Sequence, residues 1–129
     1  MESKKQSALE NIDACKELLE SMSDALWDHP ETGYHEHFAA RLYCRMLEKL
    51  GFQVEQGLAG IETAFSGTYG SGKPVIGFLG EFDALPGLSQ QANITRMRPV
   101  TEGGPGHGCG HNLLGVGALA AALGVKKYL

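Results

Sequence analysis

The chain has 129 residues, 43% of them hydrophobic, enough for one domain with a buried core or a piece of one. Eleven basic residues against 15 acidic ones leave a formal charge of -4 with no clustered basic face, so neither nucleic acid nor an anionic membrane is expected as a partner. Three cysteines, Cys15, Cys44 and Cys109, make no disulfide framework, the opening "MESKKQSALENIDACKELLE" has no apolar leader core, and no run reaches the roughly 18 apolar residues of a membrane helix, which together predict a cytoplasmic protein.

In chain order, the residues Leu9, Ile12, Leu18, Leu19, Met22 and Leu26 recur at three- and four-residue steps and predict an amphipathic helix over 7–27. His29-Pro30 stops it, because proline lacks a donor and moves the residue before it out of helical angles. A second helix is predicted over 36–50 from the stripe Phe38, Leu42, Met46 and Leu50, ending at Gly51, where a left-handed cap is wanted. Cys15 and Cys44 lie on these apolar stripes and read as core thiols, while His29, His35 and His37 read as surface or packing residues.

After Gly51 the rhythm shortens, and strands are predicted over 52–55, 62–69 and 74–80, separated by turns such as Gly70-Ser71-Gly72-Lys73. The run Val75-Ile76-Gly77-Phe78-Leu79 is apolar on both faces, as in an inner strand covered on each side. Residues 87–106 are polar and rich in glycine and proline and predict a long loop. A third helix follows over 113–129, with Asn112 as its expected N-cap, and its many small residues, Gly115, Gly117, Ala118 and Gly124 among them, predict close packing against a sheet.

Two clusters carry chemistry. In "GHGCGHN", residues 106–112, Cys109 and His111 flank one glycine just before a helix N-terminus, whose positive end favours a thiolate. Such a thiol is either a metal ligand or a nucleophile, or the stretch is a plain turn; as two ligands do not complete a site, and no second Cys pair exists, a metal here needs further carboxylates or histidines. In "GEFDALPG", residues 80–87, Glu81 and Asp83 follow the end of the apolar strand, where open α/β sheets place their ligands, and extended geometry points both the same way; loop solvation or helix capping is the alternative.

"HPETGYHE" at 29–36, "GFLGEFDALPG" at 77–87 and "GHGCGHNLLGVGALAAALGVKK" at 106–127, in this order, resemble the metal-dependent amidohydrolases of the aminoacylase and carboxypeptidase type, and among them the aminobenzoyl-glutamate hydrolase branch. The resemblance implies an α/β fold: the N-terminal part of a zinc-peptidase-like catalytic domain, with an open mixed sheet flanked by helices. It also implies two divalent metal ions, manganese or zinc, hydrolysis of an amide bond in an N-acyl amino acid or dipeptide by metal-activated water, and homo- or hetero-oligomers in the longer relatives. By the same resemblance Cys109 and His111 match metal ligands and Asp83 an aspartate that orients them. Glu81 stands where distant relatives carry a histidine ligand, His107 is in the motif but outside the ligand set, and Asn112 replaces a common aspartate.

Family members run to several hundred residues, and their other ligands, the glutamate general base and the dimerisation domain have no counterpart in these 129 residues, so the chain by itself is expected to be inactive. Two rival readings stand beside this one. In the first, Cys109 is a nucleophile paired with His107 or His111; in the second, the protein is not an enzyme and docks with a partner through the exposed flank of its third helix.

Overall fold

The computed structural model describes residues 3–129. Its elements are α1 (Lys4–Ala14), α2 (Lys16–Asp28), α3 (His37–Lys49), β1 (Gln53–Gln56), a 3-10 turn at Leu58–Gly60, β2 (Phe65–Thr68) and α4 (His111–Lys126). The fold is mixed α/β, but the only sheet among the described residues is the antiparallel pair β1-β2, with Gln53 opposite Thr68 and Gln56 opposite Phe65.

The single helix predicted over 7–27 is two helices, broken at Cys15, where ψ is 5°. Neither proline nor glycine marks the break. Its cause is tertiary: the bend lets α1 reach the end of α4, where Asn11 Nδ2 donates to the Leu123 carbonyl at 2.8 Å, while α2 turns Leu19, Met22 and Leu26 into the core. Cys15 is half-buried at that corner. Cys44 is buried on α3, and burial, with the nearby Glu48 carboxylate, raises its thiol pKa, as suits an unreactive core residue.

The second helix is where periodicity put it, and its end follows the expected chemistry. Gly51 takes φ 84°, its N–H bonds the Glu48 carbonyl, and Phe52 N–H reaches back to the Leu47 carbonyl at 2.9 Å, the double bond pattern of a Schellman cap. At the other end the cap comes from outside the helix: the Glu31 carboxylate accepts from the N–H of Phe38 at 2.9 Å and of Ala39 at 3.0 Å. An anion at these orphan donors is well placed against the helix dipole. Glu31→Ala is therefore expected to cost about 1–2 kcal/mol in urea unfolding, with Glu31→Gln losing less because it keeps an acceptor; equal stability of all three proteins would show the cap to be dispensable.

The core is one cluster in which α2 (Leu19, Met22, Leu26), α3 (Tyr43, Leu47) and α4 (Val116, Leu119, Leu123) meet Phe52. Burial pushes the Tyr43 phenol well above its ordinary pKa, and its hydroxyl has no hydrogen-bond partner among the described residues. The small residues of α4 serve two contacts. A Cβ on Gly115 would overlap the Tyr43 hydroxyl, and a Cβ on Gly80 would come within 2.9 Å of Ala118, so an extended stretch of chain does lie directly on this helix.

That stretch, 74–80, departs from expectation. It makes no strand, and Val75 and Leu79 are 81% and 94% exposed rather than buried on both faces. The open mixed sheet expected to run through it is absent among the described residues. An inner strand is apolar on both sides because neighbours cover it and take its backbone bonds, and here no described segment lies beside it to do so. The long loop 87–106, by contrast, is folded on itself. Gln90 bonds the backbone of Gln91, Arg96 and Arg98, Ser89 Oγ accepts from Val100 and Thr101, and the backbones of Leu85 and Gly106 exchange two 3.0 Å bonds at its base.

Candidate functional site

Two isolated bridges bring the three sequence blocks together. Ala84 N–H bonds the Glu31 carbonyl at 2.7 Å, joining the first block to the second through a parallel bridge at Thr32 and Ala84, and the Leu85-Gly106 bridge joins the second to the third. Gly33 lies beside this junction, where an added Cβ would sit 3.9 Å from Asp83 Oδ2. Glu36, also in the first block, is buried and accepts from Thr63 Oγ1 at 2.8 Å.

At the centre is His111, the first residue of α4. Its Nδ1 is 2.8 Å from Asp83 Oδ1 and its Nε2 is 3.3 Å from Glu81 Oε2. Glu81 and Asp83 are two residues apart on extended chain and so reach the same ring. The Asp83 carboxylate can only accept, so the shorter contact puts a proton on Nδ1. Asp83 is 29% exposed at its side chain and Glu81 67%, so the Nδ1 bond is the sheltered one of the two.

Cys109 is exposed, two residues before α4, on an open depression of about 780 Å³ that His111, Phe78 and Leu114 also line. Among the described residues, no three His, Cys, Asp or Glu side chains form a group that could hold a metal ion. The thiol thus faces the same depression as the imidazole but is not gathered with the two carboxylates.

His107 is buried, with Nε2 3.1 Å from the Leu26 carbonyl, and burial holds its imidazole below the usual pKa, an effect the Leu26 carbonyl partly offsets. It anchors the turn before Cys109 to the end of α2. Neither His107 nor His111 is hydrogen-bonded to the Cys109 thiol, the contact a cysteine nucleophile would need. Asn112 is not the N-cap of α4: Gly110, at φ 76°, takes that place, and Asn112 points inward, where Nδ2 bonds Ser23 Oγ at 3.1 Å. Of the remaining histidines, His29 stacks on Phe38 with ring centroids 4.1 Å apart, and His37 lies 3.8 Å from Glu62 at the surface. Sequence reasoning missed the roles of Glu31 and Ser23. Neither carries a local signal, since Glu31 caps a helix that begins six residues later and Ser23 serves a partner 89 positions away.

No protein-family model matches the chain. Curated proteins do. The chain is 49% identical over 118 residues to a subunit of the p-aminobenzoyl-glutamate hydrolase of Escherichia coli (strain K12), a match covering 92% of this chain and 24% of that protein. It is 33% identical over 133 residues to the Xaa-Arg dipeptidase of Homo sapiens, covering 93% of this chain and 27% of the relative. It is 32% identical over 87 residues to thermostable carboxypeptidase 2 of Saccharolobus solfataricus (strain ATCC 35092 / DSM 1617 / JCM 11322 / P2), covering 66% and 21%. The chain spans about a quarter of the length of these relatives. The residues aligned include nearly the whole of this chain in two of the three cases, and all three relatives are named for splitting amide or peptide bonds: the chain belongs to this amidohydrolase and peptidase family of enzymes.

Proposed function

We propose that these residues form part of a zinc-peptidase-like catalytic domain, the N-terminal part, in a metal-dependent amidohydrolase that cleaves an N-acyl or peptide bond to an amino acid, with aminobenzoyl-glutamate or a dipeptide as the substrate class. The observation that carries the reading is the paired engagement of His111. With the proton on Nδ1 held by Asp83, Nε2 turns a lone pair toward the Glu81 carboxylate at 3.3 Å, and two acceptors face each other. A proton on Nε2 or a metal ion beside it resolves that opposition, and our reading takes the metal ion. A carboxylate behind a ligating imidazole is also the usual means of fixing its tautomer and raising its basicity.

In chemistry the donors suit a divalent metal such as zinc or manganese. His111 Nε2 and the Cys109 thiolate would hold it, with Asp83 as the positioning residue and Glu81 at the rim. When bound, such an ion polarises a carbonyl and lowers the pKa of water. The chain's own residues do the rest: Asp83 keeps the ring oriented, His107 pins the loop that carries Cys109 to α2, and the glycines on either side of Cys109 leave the thiol uncovered. The three free cysteines support a reducing, cytoplasmic setting, and no helix among the described residues is long and apolar enough to cross a membrane.

Titration of the 129-residue chain with zinc and manganese, wild type against Cys109→Ala, tests the assignment. Binding near one equivalent that weakens at least tenfold on loss of the thiol is the expected result. No binding, or binding indifferent to Cys109, would remove the thiol from the ligand set.

A further inference from the structure

The Glu81 and Asp83 carboxylates and the imidazole they face sit on two elements that no backbone hydrogen bond joins. Residues 80–83 make none to any described residue, and His111 opens α4. Packing sets the spacing instead. A Cβ on Gly80 would come within 2.9 Å of the Gly115 Cα, so the chain entering 81–83 rests on the backbone of α4 about one turn after His111.

Tyr43 of α3 is wedged into the same junction. Its ring lies against that of Phe82, the residue between the two carboxylates, with centroids 5.5 Å apart. Its hydroxyl touches Gly115, and the Glu81 carbonyl oxygen is 3.1 Å from the Cβ position that the hydroxyl denies to that glycine. Tyr43 is 4% exposed, and among the described residues its hydroxyl has no partner. Burying a hydroxyl without a partner is unfavourable, and phenylalanine would avoid the loss. A glycine inside a helix is unfavourable too. Both costs fall on one contact, the one that separates the Glu81 backbone from α4.

We infer that Tyr43 is a positioning residue of the His111 site: its hydroxyl, lodged between the Glu81 backbone and Gly115, sets the distance from 81–83 to α4 and so keeps the Asp83 carboxylate on His111 Nδ1. Without that oxygen the chain at 81 settles toward Gly115, and Asp83, two residues on, moves off the ring. The inference rests on the reading above for what His111 does, and on geometry alone for what Tyr43 does to it.

The test compares wild type, Tyr43→Phe and Leu47→Ala by nitrogen NMR of the metal-free chain at about pH 9, above the ordinary imidazole range, where the two ring-nitrogen shifts of His111 report its tautomer ratio. Wild type is expected to carry the proton mainly on Nδ1. Tyr43→Phe is expected to lower the ratio of Nδ1–H to Nε2–H by at least about threefold, with a thermal midpoint equal to or above that of wild type, because only an unpartnered hydroxyl is lost. Leu47→Ala, a truncation in the same core, is expected to lower the midpoint and keep the ratio. An unchanged ratio in Tyr43→Phe overturns the inference. An equal change in Leu47→Ala also overturns it, by making the effect one of general loosening. Because these spectra are taken without metal, they decide the role of Tyr43 whatever the zinc titration shows.

Discussion

Leu26→Ala is expected to lower stability by about 3–4 kcal/mol. Leu26 is fully buried, beside Met22 on the same face of α2, in the core cluster that α2 shares with α3 and α4. The loss of transfer free energy and the cavity left behind therefore add. Against a total of about 5–15 kcal/mol for a domain, this moves the urea midpoint far down without changing the slope. The effect also reaches the site. The Leu26 carbonyl holds His107, so shifting the end of α2 loosens the turn that presents Cys109. A loss under about 1 kcal/mol would mean that the core is not centred on α2.

Asp83→Asn is expected to weaken zinc or manganese binding by roughly 10–100-fold while leaving the thermal midpoint almost unchanged. The carboxylate at 2.8 Å from Nδ1 does two things for His111: it fixes the proton on that nitrogen and it lends negative charge to the ring. Asparagine keeps the shape but loses the charge, and its amide can turn its NH2 toward Nδ1 and invite the other tautomer. Because the Asp83 side chain is partly exposed, little of its contribution is to stability. Calorimetric titration of the two proteins settles the point: equal affinities would mean that Asp83 is only a solvated neighbour of the ring.

Much of this was legible in the residues because it depends on local rules. The stripe Phe38, Leu42, Met46 and the glycine at 51 define α3 without help from the rest of the chain. The i, i+2 spacing of Glu81 and Asp83 brings both to one side, and the structure sets both against His111. What was hidden depends on partners. The break at Cys15 exists because α1 and α2 each find their own part of α4. Asn112 has the composition of a cap, yet a buried hydroxyl from Ser23 outcompetes the free amides at the helix start. The run 75–79 has the side chains of an inner strand, but side chains alone cannot supply the neighbours that make one.

The tie between α1 and α4 has a temporal meaning. Asn11 bonds a carbonyl 112 residues ahead of it, and Ile12 fills the space over Gly124. When a ribosome has made α1, α2 and α3, the surfaces of the first two helices that will meet Leu119 and Leu123 still have nothing to lie on. Contacts of such separation close late and expose apolar surface while they wait. The apolar face of α2, with Leu19 and Met22, therefore stays without its α4 partner for the whole interval in which residues 50–110 are being added.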